Sequence, residues 1–221
     1  THLASKWRVE LGSSYSGPIM DGDTVYVTES SGDNEVVRAL DRADGREKWR
    51  HTWAGKMRVP FFAAKNGSWI RSTPALANGK LFVAGMRDHL LCIDIKTGKR
   101  LWEINFPKEL KTPIPSFGCV CSPMVDDKYV YMQAGAAFCK IEQDTGKMVW
   151  QSMKDKGGMY GSAFSSPVFA TLEGKEQILV QSRTELAGVD VDSGGILWRQ
   201  PVKAFRGMNI LTPLPYKNGA Y

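Results

Sequence analysis

The sequence predicts an all-β chain: a β-propeller of four-stranded antiparallel blades, about four of them complete. Three observations carry this. A strand–turn–strand unit ending in tryptophan recurs four times, a proline signature (Ser/Thr-Pro in every copy but the first) opens each repeat, and a turn followed by an alternating apolar strand lies between them. Self-similarity at a fixed period marks stacked repeats. Four short strands in each repeat of about 45–50 residues is the propeller form of that stacking.

The clearest copy of the tryptophan unit is Cys92-Ile-Asp-Ile-Lys-Thr-Gly-Lys-Arg-Leu-Trp102. Its counterparts are Arg38-Ala-Leu-Asp41-Arg-Ala-Asp-Gly45-Arg-Glu-Lys-Trp49, Lys140-Ile-Glu142-Gln-Asp-Thr-Gly146-Lys-Met-Val-Trp150 and Gly188-Val-Asp190-Val-Asp-Ser-Gly194-Gly-Ile-Leu-Trp198. A lone Lys6-Trp7-Arg8 precedes them, and the tryptophans stand 42, 53, 48 and 48 residues apart. Each position has a physical task. Asp41, Asp94, Glu142 and Asp190 precede turns and accept bonds from free turn N–H groups. Gly45, Gly98, Gly146 and Gly194 supply the positive φ that the hairpin needs. Trp7, Trp49, Trp102, Trp150 and Trp198 each carry a large apolar surface and one N–H, suited to docking one unit on its neighbour.

The opening signature reads Ser16-Gly-Pro18, Ser72-Thr-Pro74, Cys121-Ser-Pro123, Ser165-Ser-Pro167 and Leu211-Thr-Pro213. Proline at the first residue of a strand removes no ladder donor. After a turn come the alternating strands Thr24–Thr28, Lys80–Ala84, Lys128–Met132 and Gln177–Gln181, which read as β on period and residue type. Complete blades are expected at about 16–50, 72–103, 121–151 and 165–199, with partial strands at 6–10 and 211–221. The acidic insert Glu29–Glu35 reads as an exposed hairpin loop, and no segment reads as a helix of any length.

Composition bounds the rest. The 221 residues carry 29 basic and 23 acidic side chains, a net charge of +6. No basic run exceeds two residues and no nucleic-acid motif appears, so the excess reads as a basic solvated surface without a nucleic-acid partner. No apolar run approaches the ~18 residues of a membrane helix, and no signal peptide is visible at residues 1–7. Cys92, Cys119, Cys121 and Cys139 lack zinc-site spacing and read as buried thiols. His2, His51 and His89 form no ligand cluster, and no metal site is expected.

The pattern x-S/T-P, strand, turn, strand, then A-x-D-x-x-T-G-x-x-x-W resembles the repeat of the quinoprotein-like (PQQ-like) β-propellers, over nearly the whole chain. The resemblance implies the fold, commonly as an eight-bladed ring, of which this chain would be about half. The remainder would come from chain beyond these residues or from a second copy. It also implies export to the periplasm or cell envelope. The family holds PQQ-dependent alcohol dehydrogenases, a non-enzymatic barrel-assembly lipoprotein, and exported proteins of unknown role. The dehydrogenase site needs calcium held by Glu, Asn and Asp, an Asp base, and often a disulfide between adjacent cysteines. This sequence has no adjacent cysteine pair, and its repeat aspartates are explained by turns.

No catalytic set can be placed, so the reading leans away from an enzyme. It favours a scaffold that binds a protein or cell-envelope partner without cofactor. Part of a PQQ- and calcium-dependent oxidoreductase, or a carbohydrate-binding propeller, are the alternatives. The longest connection, Arg50 to Arg71, offers Trp53, Phe61, Phe62 and Trp69 as a candidate partner loop, because function concentrates on loops of rigid scaffolds. Segments preceding each x-x-Pro should converge at one mouth of the channel, where Arg71, Tyr160, Arg206 and Asn209 form a candidate site.

Overall fold

The structure, a computed structural model, describes residues 4–161, 164–203, 208–217 and 219–220. Four antiparallel sheets follow one another along the chain. Blade 1 comprises β1 (Ile19–Asp21), β2 (Thr24–Ser31), β3 (Asn34–Asp41) and β4 (Glu47–Ala54). Blade 2 comprises β5 (Ala75–Ala77), β6 (Lys80–Gly85), β7 (His89–Asp94) and β8 (Arg100–Asn105). Blade 3 holds β9 (Met124–Val125), β10 (Tyr129–Ala134), β11 (Ala137–Glu142) and β12 (Met148–Ser152). Blade 4 holds β13 (Val168–Leu172), β14 (Lys175–Gln181), β15 (Glu185–Val189) and β16 (Ile196–Pro201). A small hairpin, β17 (Pro215–Tyr216) and β18 (Gly219–Ala220), follows.

Strands pair in simple sequence order within each blade. The pleat sends alternate residues to opposite faces, and each face meets a different neighbour. From β6, Leu81 and Val83 pack with Tyr26, Val37 and Ala39 of blade 1, whereas Phe82 and Ala84 pack with Val130, Met132 and Cys139 of blade 3. The sequence predicts alternating middle strands, but burial on both faces makes them nearly continuous apolar runs instead. Tyr131 and Phe138 continue the stack into Ile178, Val180 and Val189 of blade 4. All four cysteines are buried free thiols in these layers. Burial pushes those of Cys92, Cys121 and Cys139 up to about 12.

Two further contacts join the blades. The tryptophan of one blade lies against the turn glycine of the next: Trp49 on Gly98, Trp102 on Gly146 and Trp150 on Gly194, with Trp7 on Gly45 at the entry. These glycines have φ between 70° and 76°. The indole N–H donates to the carbonyl of the residue after the turn acid, Arg42 from Trp7 (2.8 Å), Ile95 from Trp49 (2.8 Å) and Gln143 from Trp102 (2.9 Å). At the third junction Lys140 donates to that carbonyl, Val191, at 2.9 Å, and the Trp150 indole N–H has no partner among the described residues. The second contact explains the hydroxyl before Pro74, Pro123 and Pro167. Thr73 Oγ1 accepts from Gly17 N, Ser122 Oγ from Thr73 N, and Ser166 Oγ from Ser122 N, at 2.9–3.0 Å.

Three further expectations are corrected. A five-residue helix, α1 (Phe106–Leu110), follows β8. The Asn105 side chain accepts the Lys108 N–H, Pro107 sits in its first turn, and Phe106 is buried. Residues 6–10 form no strand, although Trp7 still reaches Gly45. The insert Glu29–Glu35 is solvated only at its tip, Ser31–Asn34, and not at its ends. It extends the β2–β3 hairpin, and Glu29 and Glu35 are 7% and 2% exposed.

Candidate functional site

In a four-stranded meander the β2–β3 loop, the end of β4 and the start of β1 share one end of the sheet. The long inter-blade connections and the middle hairpins of all four blades therefore gather on one face. The D-x-x-T-G turns occupy the other.

Buried polar side chains tie this face together from blade to blade. Glu35 of β3 accepts the backbone N–H of Met86 at 2.9 Å and the indole N–H of Trp53 at 2.7 Å. Asp88, in the middle hairpin of blade 2, accepts the N–H of Gly135 in blade 3 at 2.8 Å. Gln133 of blade 3 donates to the carbonyls of Ser165 (2.7 Å) and Gln181 (3.0 Å) in blade 4. Burial is the main cause that raises both carboxylates to about 7, from ordinary values of 4.5 for Glu35 and 3.8 for Asp88. The Asp155 charge adds to the rise at Asp88, whose Oδ1 has no partner.

The four candidate loop residues separate. Trp53 belongs to β4, is buried, and is committed to Glu35, so it offers no partner or sugar platform. Phe61 and Phe62 open the 3-10 turn Phe61–Asn66 and are 91% and 58% exposed. Their rings begin a row: Phe61–Phe62 at 5.5 Å, Phe62–Phe117 at 6.0 Å and Phe117–Phe164 at 5.9 Å. This row crosses three successive blade junctions. Trp69 instead packs, tilted by 35°, against Tyr15 at 5.5 Å.

The candidate mouth residues do not form one constellation. Arg71 lies over Tyr15 at 5.1 Å and donates to the Gly67 carbonyl at 3.0 Å, which fixes the blade 1–2 loop. Tyr160 and Asn209 meet through Arg183. Its guanidinium is 5.4 Å from the Tyr160 ring, and its carbonyl accepts from Asn209 Nδ2 at 2.9 Å. Arg206 lies outside the described residues.

Two cavities flank the segment 56–59. One, of about 490 Å³, is lined by residues including Glu35, Arg58 and Trp69. The other, of about 520 Å³, is lined by Lys56, Met57, Arg58, Val59, Pro60, Arg87, Ile114, Pro115 and Ser116. Among the described residues no group of three or more His, Cys, Asp or Glu side chains is arranged to hold a metal.

Glu35, Phe117, Phe164 and the pre-proline hydroxyls escaped the sequence reading as contacts. The repeated Ser or Thr before proline was a visible signal for the hydroxyls. The aromatic row had none, because its members come from three different connections.

Comparison with known proteins follows from this geometry. The family model described as "Outer membrane protein assembly factor BamB" matches residues 33–214. BamB from Moraxella catarrhalis superposes with a TM-score of 0.65 at 19% identity, over 89% of this chain and 55% of that one. Quinohemoprotein alcohol dehydrogenase from Comamonas testosteroni superposes with a TM-score of 0.63 at 18% identity, over 85% of this chain and 35% of that one. In sequence, 1-butanol dehydrogenase (cytochrome c) of Thauera butanivorans is 34% identical over 108 residues, 47% of this chain and 15% of its own length. The chain thus spans about half of the BamB structure and a small part of the dehydrogenase.

Proposed function

The chain belongs to the family described as outer membrane protein assembly factor BamB, and on that premise we propose that it is a non-catalytic PQQ-like propeller acting as a protein-interaction scaffold of the cell envelope. The observation that carries this is the row Phe61–Phe62–Phe117–Phe164 on the loop face. Phe61 and Phe62 are exposed and rest on the half-buried Phe117 and Phe164; contiguous aromatic rings on a rigid frame are what interface anchors are made of. Phe61, 91% exposed, contributes almost nothing to the blade beneath it. The buried stitches Glu35–Met86, Asp88–Gly135 and Gln133–Gln181 hold the connections that present the rings. An envelope location accords with the outer-membrane assembly role in the family's description.

Co-purification on immobilised chain from an envelope extract tests it. One discrete partner, lost with the Phe61→Ala/Phe62→Ala variant, is expected. Equal retention by that variant sinks the reading.

A second reading, part of a quinoprotein oxidoreductase, is favoured by the 34% identity to the butanol dehydrogenase. On that reading residues beyond this chain would contribute to the calcium site. Titration with PQQ and calcium should raise the melting temperature of a longer chain by mass action, and no rise would end that reading.

A further inference from the structure

The cavity of about 520 Å³ beside the aromatic row has a composition that names a ligand. Its walls come from two successive junctions, residues 56–60 after blade 1 and 114–116 after blade 2, and Arg87 of the middle hairpin of blade 2 reaches it between them. Contact between Phe62 and Phe117 bridges the same two connections. Lys56, Arg58 and Arg87 line the cavity and no acid does. Lys56 pairs with Asp33. Arg58 and Arg87 make no ion pair among the described residues, whereas Arg38, Arg50, Arg100 and Arg199 all do. Arg58 and Arg87 thus line a cavity with no acidic residue in its wall, in a chain of net charge +6, although Glu35 lies within charge range of Arg87 and lines the adjoining cavity with Arg58. The remaining lining is mostly apolar: Met57, Val59, Pro60, Ile114 and Pro115. Proline fixes its own φ, so these walls are partly preorganised and little ordering cost falls on binding.

We propose that this cavity is a docking groove for an extended acidic segment of a partner protein, with carboxylates alternating with apolar side chains. The inference rests on the scaffold reading and adds the chemistry of the partner. A guanidinium fork matches a carboxylate in two parallel hydrogen bonds. An extended strand sends successive side chains to opposite sides. It sets carboxylates on Arg58 and Arg87 while its apolar residues cover Met57, Val59 and Ile114 and run onto the phenylalanine row. A phosphate or lipid headgroup satisfies the cations but leaves the apolar walls wet.

The test uses a fluorescein-labelled peptide that alternates glutamate with leucine and phenylalanine, read by anisotropy. Its glutamine counterpart and vesicles containing phosphatidylglycerol serve as competitors. Saturable binding that weakens with salt, and by about tenfold or more in Arg58→Gln/Arg87→Gln, is expected. Lys96→Ala, in a turn on the opposite face, should bind as the parent does. Melting temperatures check that every variant is folded. Equal affinity for the glutamine peptide, equal affinity in the arginine variant, no binding of the acidic peptide, or displacement by vesicles alone overturns the proposal. If the arginine variant still captures the envelope partner and Phe61→Ala/Phe62→Ala does not, the groove falls while the scaffold reading stands. If neither variant loses the partner, both fall.

Discussion

Trp102 of blade 2 lies so close over Gly146 of blade 3 that a methyl group on the glycine would stand 2.9 Å from ring carbons Cδ2 and Cε3. The same indole donates its N–H to the Gln143 carbonyl at 2.9 Å. Gly146 therefore answers two demands, a φ of 71° and a bare face for the neighbouring ring. Trp49 on Gly98 and Trp150 on Gly194 repeat the arrangement, so the strongest sequence signal is also the joint between blades.

Removing the ring should open that joint. Trp102→Ala deletes the surface packed on Gly146, the contact with Phe82 at 5.9 Å and the bond to Gln143. A loss of about 2–3 kcal/mol, below the full-core value because the ring is half-buried, is expected in denaturant unfolding. A loss below about 1 kcal/mol would mean that the ring does not dock the blades.

Gly146→Ala tests the other half of the contact. The left-handed conformation alone costs a non-glycine residue about 1–2 kcal/mol, and the methyl group must also displace the indole. Gly79→Ala is the control, because it has a similar φ of 72° and nothing within 4 Å of its added methyl. Gly146→Ala should lose clearly more stability than Gly79→Ala. Equal losses would reduce the role of Gly146 to backbone conformation.

The blades were legible in the sequence because one physical unit is written four times. What lay outside that unit was not. Blade 1 was expected to end at residue 50, yet β4 continues to Ala54, which pairs with Asn34, because this hairpin has eight-residue strands. That extension turns Trp53 from a loop residue into a buried one. It also places Glu35 in a polar junction that an acidic run of sequence cannot distinguish from a solvated loop. The serine and threonine before each proline were visible. Their partners were not, since the hydroxyls of Thr73, Ser122 and Ser166 each bond the equivalent position one blade earlier, about fifty residues away.

Ser122→Ala probes that inner stitch. It leaves the Thr73 N–H without the acceptor it has at 2.9 Å, in a partly buried site. A net cost of about 1 kcal/mol is expected. Ser122→Thr should be tolerated, because Thr73 performs the same task for Gly17 at 3.0 Å. Hydrogen exchange at the Thr73 amide should speed up in the alanine variant and not in the threonine one. Unchanged exchange in both would remove the stitch from the account.

The two buried carboxylates predict a pH dependence with a definite sign. Glu35 rises to about 7 from 4.5 and Asp88 to about 7 from 3.8. Between the ordinary and the raised value the folded chain holds more protons than the unfolded one, so stability falls as pH rises. This stabilisation is complete below about pH 4 and gone above about pH 7, on the order of 3 kcal/mol per carboxylate. His51 and His89 act in the opposite direction over part of this window, because burial lowers both and they favour the folded state as pH rises toward 6.5. The prediction is therefore read as a difference. From pH 5 to pH 8, Glu35→Gln and Asp88→Asn should each gain stability relative to the parent. The fixed cost of the amide, which faces the Trp53 N–H in one case and the Gly135 N–H in the other, does not change with pH. Parallel stability curves for parent and variants across that range would mean that both carboxylates are already ionised in the folded chain.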